Sequence, residues 1–315
     1  MQRILDPGQI EAFGQRAIPR LRLPDRVHVF SRRAERLREL AGHDAIGHTI
    51  ADYLRLMATV ADTQQAALGT FEARLPGAKQ IAHAREHGMP LVHSAAFPRE
   101  KHWRDVLMQL CSAVTRHSDL PERVHAVCER LSHLPPEQME READALLSAG
   151  SDPVDAASAP LLMAALQVYW VDLSSRLAIG DVATIDVPVV CPACGTWPVA
   201  SVVRTEPGSQ GFRYLHCALC ATEWHMVRVT CSHCQSTKGI DYRSIEGGTE
   251  AIRAECCESC RTYRKILYQE KDSRVEPVAD DLASLALDLL MSEAGYHRAS
   301  GNPLLWQKGV TTKNT

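Results

Sequence analysis

Eight cysteines, arranged in four Cys-x-x-Cys pairs, are the residues of this chain whose type and spacing point most directly to chemistry: Cys191/Cys194, Cys217/Cys220, Cys231/Cys234 and Cys257/Cys260. The first two pairs recur 40 residues later as the last two, which makes the stretch an internal duplication. Within each copy 22 residues separate the pairs, so one unit reads Cys-x2-Cys-x22-Cys-x2-Cys, close to the spacing of a four-thiolate metal site. A tight turn between two cysteines aims both sulfurs at one ion, and two such knuckles held face to face by short strands complete a tetrahedron. The runs Phe212-Arg213-Tyr214-Leu215 and Ala251-Ile252-Arg253-Ala254 supply the extended segments that lead into the second knuckle of each copy. The eight cysteines are therefore the candidate metal ligands, for two ions per chain.

Two other uses of paired cysteines compete with this reading. Structural disulfides need an oxidising compartment, and the N-terminal run Met1-Gln2-Arg3-Ile4-Leu5-Asp6-Pro7-Gly8 lacks the continuous apolar core of a secretory signal. A thioredoxin-like redox pair needs a βαβ setting that the flanking pattern does not offer. The doublet Cys256-Cys257 leaves a choice, which the 40-residue register resolves in favour of Cys257. Cys256 then occupies the place of His216 in the first copy, and both are expected beside the sites and not as ligands.

Four thiolates leave a tetrahedral ion no open position for water or substrate, so it can hold structure or pass an electron but cannot readily activate a substrate. The chain also lacks a Gly-rich phosphate loop, a nucleophile elbow and a zinc-protease His-Glu pair. No catalytic residue is assigned, and the protein is expected not to be an enzyme. His83 and His87 stand one helical turn apart, a geometry that can chelate; with no carboxylate or cysteine at matching spacing, a solvated helix face accounts for them.

The elements around this stretch are mostly helical. From Ser31 through Val60, apolar residues at three- and four-residue steps, among them Leu37, Leu40, Ile46, Ile50, Leu54 and Met57, predict one long amphipathic helix. A short helix with His83 and His87 ends at Gly88 and Pro90. Trp103 to Val114 and Leu120 to Leu131 make two more apolar stripes, which carry Cys111 and Cys128 as core residues. A helix opened by Pro135-Pro136, a loop over 148–153 and a helix over Leu162–Leu177 complete a bundle of about six. Beyond Pro277 a final amphipathic helix runs from Val278 to Leu290 and is closed by Gly295, with Asp280 and Asp281 in its first turn offsetting the helix dipole. The resulting fold class is α+β: an N-terminal all-α helical bundle domain over 1–186, two tandem four-cysteine modules of rubredoxin-like or zinc-ribbon type over 187–230 and 231–272, and a C-terminal helix and tail over 273–315 that pack back on the rest. Two domains joined near Val187 would leave a cleft between them, a favoured place for recognition.

Net charge is -3 over 315 residues, with a sequence pI near 6.5. From 187 to 270 nine Lys and Arg face eight Asp and Glu, so the cysteine region lacks the basic footprint of a nucleic-acid binder. No segment has the unbroken apolar length to span a bilayer, so no membrane insertion is expected. Three readings remain: an accessory protein that docks through its metal region, a zinc-ribbon nucleic-acid-binding protein, and a rubredoxin-like electron carrier. The last draws on Cys191-Pro192-Ala193-Cys194-Gly195, a knuckle in which glycine lets backbone N–H groups approach the sulfurs; Gln235 replaces that glycine in the second copy.

The chain resembles the FdhE family of formate dehydrogenase accessory proteins. The resemblance rests on Cys-Pro-Ala-Cys-Gly at 191–195, on Arg213-Tyr214-Leu215-His216-Cys217-Ala218-Leu219-Cys220 with Trp224, and on Arg253-Ala254-Glu255-Cys256-Cys257 with Cys260. It extends to Ala279-Asp280-Asp281-Leu282-Ala283 and Gly301-Asn302-Pro303. It implies a cytoplasmic non-enzyme needed for active respiratory formate dehydrogenase. It also implies interaction with the dehydrogenase catalytic subunit and two rubredoxin-type iron ions, for which zinc is a substitute.

Overall fold

The structure, a computed structural model, describes residues 18–43, 48–117, 120–148, 154–185 and 188–305. Expectations for residues 1–17, Ile46, most of the 148–153 loop, Val187 and the stretch from Trp306 onward lie outside these residues.

Seven helices precede the cysteine region among the described residues: α1 (Val29–Ala41), α2 (His48–Thr70), α3 (Ala78–Glu86), α4 (Trp103–Thr115), α5 (Glu122–Ser132), α6 (Pro136–Leu147) and α7 (Ala159–Ser175). The single long helix expected from Ser31 to Val60 is two, because α1 stops at Gly42, whose N–H bonds back to Glu39 and Leu40. Helix α7 closes nothing at the edge; it is the centre. Every residue from Ala159 to Ser174 is buried, as an apolar sequence with no polar stripe requires. Its one buried carboxylate, Asp172, is neutralised by Arg26 and Arg176 and accepts from Ala73 N–H. Cys111 and Cys128 lie in this core, at 2% and 0% exposure. The Cys128 thiol beside it, together with burial, holds the Cys111 thiol well above its ordinary pKa, so it stays a neutral apolar group.

The two cysteine copies do not form separate sheets. Strands β2 (Pro198–Val203), β3 (Arg213–Cys217) and β4 (Glu223–His225) belong to the first copy, and β5 (Ile240–Arg243), β6 (Ile252–Cys257) and β7 (Thr262–Tyr268) to the second. Antiparallel pairing holds within each copy, and a parallel β2–β7 pair, Ser201 to Val203 against Ile266 to Tyr268, fuses them into one sheet. The N-terminal segment contributes a short strand, β1 (Leu21–Arg22), which pairs with β4 and so covers that edge.

Alternation along the strands sorts the side chains onto two faces. Arg213, Cys217, Glu255, Cys257 and Arg264 share one face, and His216, Cys256, Tyr263 and Lys265 the other. The second face receives the C-terminal helices α8 (Pro277–Ala283) and α9 (Leu285–Glu293). These replace the single helix expected there. Buried Lys265 donates to the carbonyl oxygens of Asp281 at 2.8 Å and Ser284 at 3.1 Å, and the Ser284 hydroxyl takes the Asp280 carbonyl, so the helical ladder breaks at Ser284. The last strand, β8 (His297–Arg298), then runs parallel beside the start of β7.

Asp280 and Asp281 do more than offset a helix dipole. The N-cap is Glu276, whose carboxylate accepts from Val278 N–H and Ala279 N–H. Asp280, fully buried, chelates the Arg36 guanidinium of α1, and Asp281, also buried, takes Arg298, Lys265 and the Asn302 side-chain amide. Both carboxylates thereby tie the C-terminal helices to the bundle and to the sheet.

Candidate metal centres

The structure gathers the eight cysteines into two sets, Cys191, Cys194, Cys217 and Cys220, and Cys231, Cys234, Cys257 and Cys260, with all four sulfurs of each set within 4.8 Å of one another. Cross-knuckle sulfur separations are 3.4 and 3.6 Å in the first set and 3.7 and 3.7 Å in the second. A disulfide would need about 2.05 Å, whereas a tetrahedron of sulfurs about 2.3 Å from one ion has edges of about 3.8 Å. The sets therefore have the size of a metal tetrahedron. Burial also pushes the Cys191 and Cys217 thiols up. A cation among four packed sulfurs supplies the charge that lets them ionise together. The residues fit a zinc or iron ion equally, since both accept four thiolates in a tetrahedron.

Each knuckle is built the same way. The residue after its second cysteine has a left-handed backbone: φ is 76° at Gly195, 56° at Ala221, 63° at Gln235 and 54° at Arg261. The turn that converges two sulfurs thus sets the conformation, and only one of its four occurrences uses glycine. Glycine at 195 has a second reason: a Cβ there would stand 2.9 Å from His93 Cδ2. Backbone N–H groups do approach sulfurs, but not at the glycine-bearing knuckle. Leu219 and Cys220 N–H point at Cys217 Sγ, and His233 and Cys234 N–H at Cys231 Sγ, all at 3.4 Å. The second copy therefore has this feature without Gly195's counterpart, contrary to the expectation from sequence.

Two threonines were not singled out by sequence. The Thr222 hydroxyl lies 3.2 Å from Cys220 Sγ, where its oxygen accepts from the thiol, and the Thr262 hydroxyl lies 3.0 Å from Cys260 Sγ, where it can donate to the sulfur. Their signal was available: they are 40 residues apart, at the same offset from the last cysteine of each copy. His216 and Cys256 turn away from the clusters. His216 Nδ1 meets the Glu223 carboxylate at 3.0 Å, and Cys256 packs 3.6 Å from Met291 Sδ. Cys257, on the opposite face of the strand, is the member of the doublet that joins a cluster.

The two sets differ in what surrounds them. All four sulfur residues of the first are at most 1% exposed, whereas Cys234 is exposed and Cys260 half-buried. The first set lies under the helical region. Val92 N–H donates to Ala193 O at 2.9 Å and Ser94 N–H to Cys194 O at 2.8 Å, while Gln167 of α7 donates to Ala218 O at 2.7 Å. The Trp170 indole fixes the 91–94 segment through Val92 O. Among the aromatics of this region Tyr214, Trp224 and Tyr263 are buried, but Trp197 is 37% exposed and lies against the His233 ring. His83 and His87 are both exposed on α3 and its cap, edge to face with one another.

A polar cavity of about 550 Å³ opens between α1, β1 and the first copy, lined by Arg22, Arg36, Arg204, His216, Glu223 and Glu276 among others. Burial raises the Glu223 carboxyl, but Arg204 and His216 outweigh it and hold it well below the usual carboxylate range. No helix of the described residues is long and apolar enough to cross a membrane.

Comparison with known proteins matches the chain in three consecutive parts: FdhE, N-terminal, over residues 18–185; FdhE, central domain, over 190–228; and FdhE, C-terminal domain, over 229–305. A Protein FdhE homolog from Cronobacter sakazakii is 41% identical over 313 residues, covering 96% of this chain and 97% of the relative. Protein FdhE of Salmonella paratyphi A is 41% identical over 295 residues, 92% of each chain. The crystal structure of the FdhE protein from Pseudomonas aeruginosa superposes with a TM-score of 0.80 at 41% identity, covering 91% of this chain and 99% of that one.

Proposed function

This chain belongs to the FdhE family of formate dehydrogenase accessory proteins, and on that premise we propose that it serves by binding the dehydrogenase catalytic subunit in the cytoplasm and not by turning over a substrate. The observation that carries the reading is the construction of the cysteine region: two four-sulfur clusters, each complete in itself, built into one sheet that is fused to a helical body. An ion held by four sulfurs has no vacant position for a reactant. What it does supply is a rigid, preorganised surface.

The polar cavity between α1 and the first copy is the recognition site in this reading. Its guanidinium and carboxylate groups are largely paired with one another, so a partner meets a hydrogen-bonding surface of balanced charge, and added salt should weaken the contact only modestly. The ligands are Cys191, Cys194, Cys217 and Cys220 for one ion and Cys231, Cys234, Cys257 and Cys260 for the other. Iron is the native ion, on the family resemblance, and zinc its substitute under aerobic preparation.

The test is deletion followed by complementation. Cells lacking the protein should make the dehydrogenase polypeptide with little formate-oxidising activity, and the purified protein should capture that polypeptide directly. Normal activity in the deletion strain, or capture of nucleic acid in place of the polypeptide, refutes the reading.

A further inference from the structure

The duplication supplies an internal control: two clusters share ligand type, spacing, knuckle backbone and threonine partner, and differ in their cover. Over the first cluster the 91–94 segment caps the Ala193 and Cys194 carbonyls, and α7 caps Ala218. Forty residues on, the carbonyls of His233 and Cys234 have no hydrogen-bond donor among the described residues, and Cys234 itself is exposed. The Trp197 ring, itself partly exposed, is the group that flanks this knuckle.

We propose that the second cluster is an exchange site, at which an incoming thiolate displaces Cys234 from the ion, while the first cluster is closed to exchange. Substitution at a tetrahedral ion held by four sulfurs begins with approach of a fifth ligand, and approach needs an open side. At the first cluster the helical region fills that side. At the second, a soft ligand of the thiolate class, from a small molecule or a cysteine of another protein, reaches the ion past Cys234. One metal–sulfur bond forms and the bond to Cys234 breaks. The released Cys234 sulfur leaves with its electron pair and takes a proton from solvent, and no electron changes hands. Cys260, half-buried, is the next to dissociate; Cys231 and Cys257, both buried, leave last. The proposal holds for either ion and does not depend on the identity of the partner protein.

The experiment uses the full chain loaded with two zinc ions, kept free of oxygen, with 2-mercaptoethanol as the incoming thiol and a colorimetric zinc chelator as the sink. Two release phases of equal amplitude are expected, the fast one at least about tenfold quicker than the slow one. Brief iodoacetamide treatment during the fast phase, followed by peptide mass mapping, should mark Cys234 and Cys260 before any cysteine of the first cluster. Cys234→Ser should abolish the fast phase and leave one ion with the slow rate unchanged. Equal release rates, earlier labelling of Cys191 to Cys220, or loss of the slow phase in Cys234→Ser would each overturn the proposal. Because the readouts are ion release and labelling, failure here is distinguishable from failure of the docking function.

Discussion

Arg213 and Glu255, one from each copy of the duplicated unit, meet at 2.7 Å with both side chains buried. The pair is not itself repeated: the positions 40 residues away are Arg253 and Leu215. It lies across the β2–β7 join, where Arg213 also donates to Ser201 of β2 and to the Thr230 carbonyl in the connection between copies. Tyr242 of β5 donates to the other oxygen of Glu255, so one polar chain spans the sheet from β3 to β5. Arg264 stands beside it, pushed down to about 9 by burial and by the Arg213 charge, and is still a cation at neutral pH.

Removing Glu255 should therefore leave two buried guanidinium groups facing one another. Glu255→Ala is expected to destabilise the protein by about 3–5 kcal/mol, as breaking a buried pair does, whereas replacing the pair together, Arg213→Met with Glu255→Leu, should cost less, because one guanidinium, that of Arg264, then remains without the carboxylate in place of two. Denaturant unfolding of the single and double variants checks this. Equal losses would mean that the pair contributes through packing alone.

The two clusters should differ in what their loss destroys. Apparent zinc-site energies of about 10–16 kcal/mol match or exceed the stability of a typical domain, so losing either ion unfolds what the ion organises. Cys217→Ser removes the platform to which Val92, Ser94 and Gln167 are bonded, and should lower the unfolding temperature of the whole chain. Cys257→Ser should leave a protease-resistant core that contains the helices. Identical proteolysis patterns for the two variants would contradict the asymmetry of the structure.

Knuckle backbone makes opposite predictions for positions 195 and 235. Gly195→Ala puts a Cβ against His93 at a left-handed φ and should destabilise by about 1–2 kcal/mol from the backbone alone, partly relieved by His93→Ala. Gln235→Gly relaxes a side-chain-bearing residue at φ 63° and should stabilise the second cluster by up to about 1 kcal/mol. Thermal unfolding of both variants decides; a loss of stability in Gln235→Gly would show that the glutamine side chain itself holds the turn.

Burial raises the Asp281 carboxyl, but Arg298 and Lys265 outweigh it and hold it below its unfolded value, near 3.9. In acid the unfolded chain therefore binds the proton first. The stabilisation is complete above about pH 4 and is lost as pH falls through the lower folded value. Asp281→Asn should lower stability at neutral pH, and its deficit relative to the parent should narrow as acid is added. A deficit that is constant down to about pH 2 would remove the carboxylate charge from the account.

The cysteine register determined the two clusters outright, because ligand spacing is local and a duplication repeats it. It also held Thr222 and Thr262, and apolar periodicity gave most of the helices, since both signals lie within one turn or one strand of the residues concerned. Tertiary structure decided the rest. The parallel β2–β7 pairing that makes one sheet of two copies has no local signature, because parallel partners are set by long crossovers. Placing α7 at the centre depends on what packs around an apolar helix, which its sequence does not name. The Ser284 break comes from a lysine 19 residues earlier, reaching its carbonyls from another element. The exposure that separates Cys234 from Cys194, alike in sequence, is imposed by a segment about a hundred residues upstream that covers only one of them.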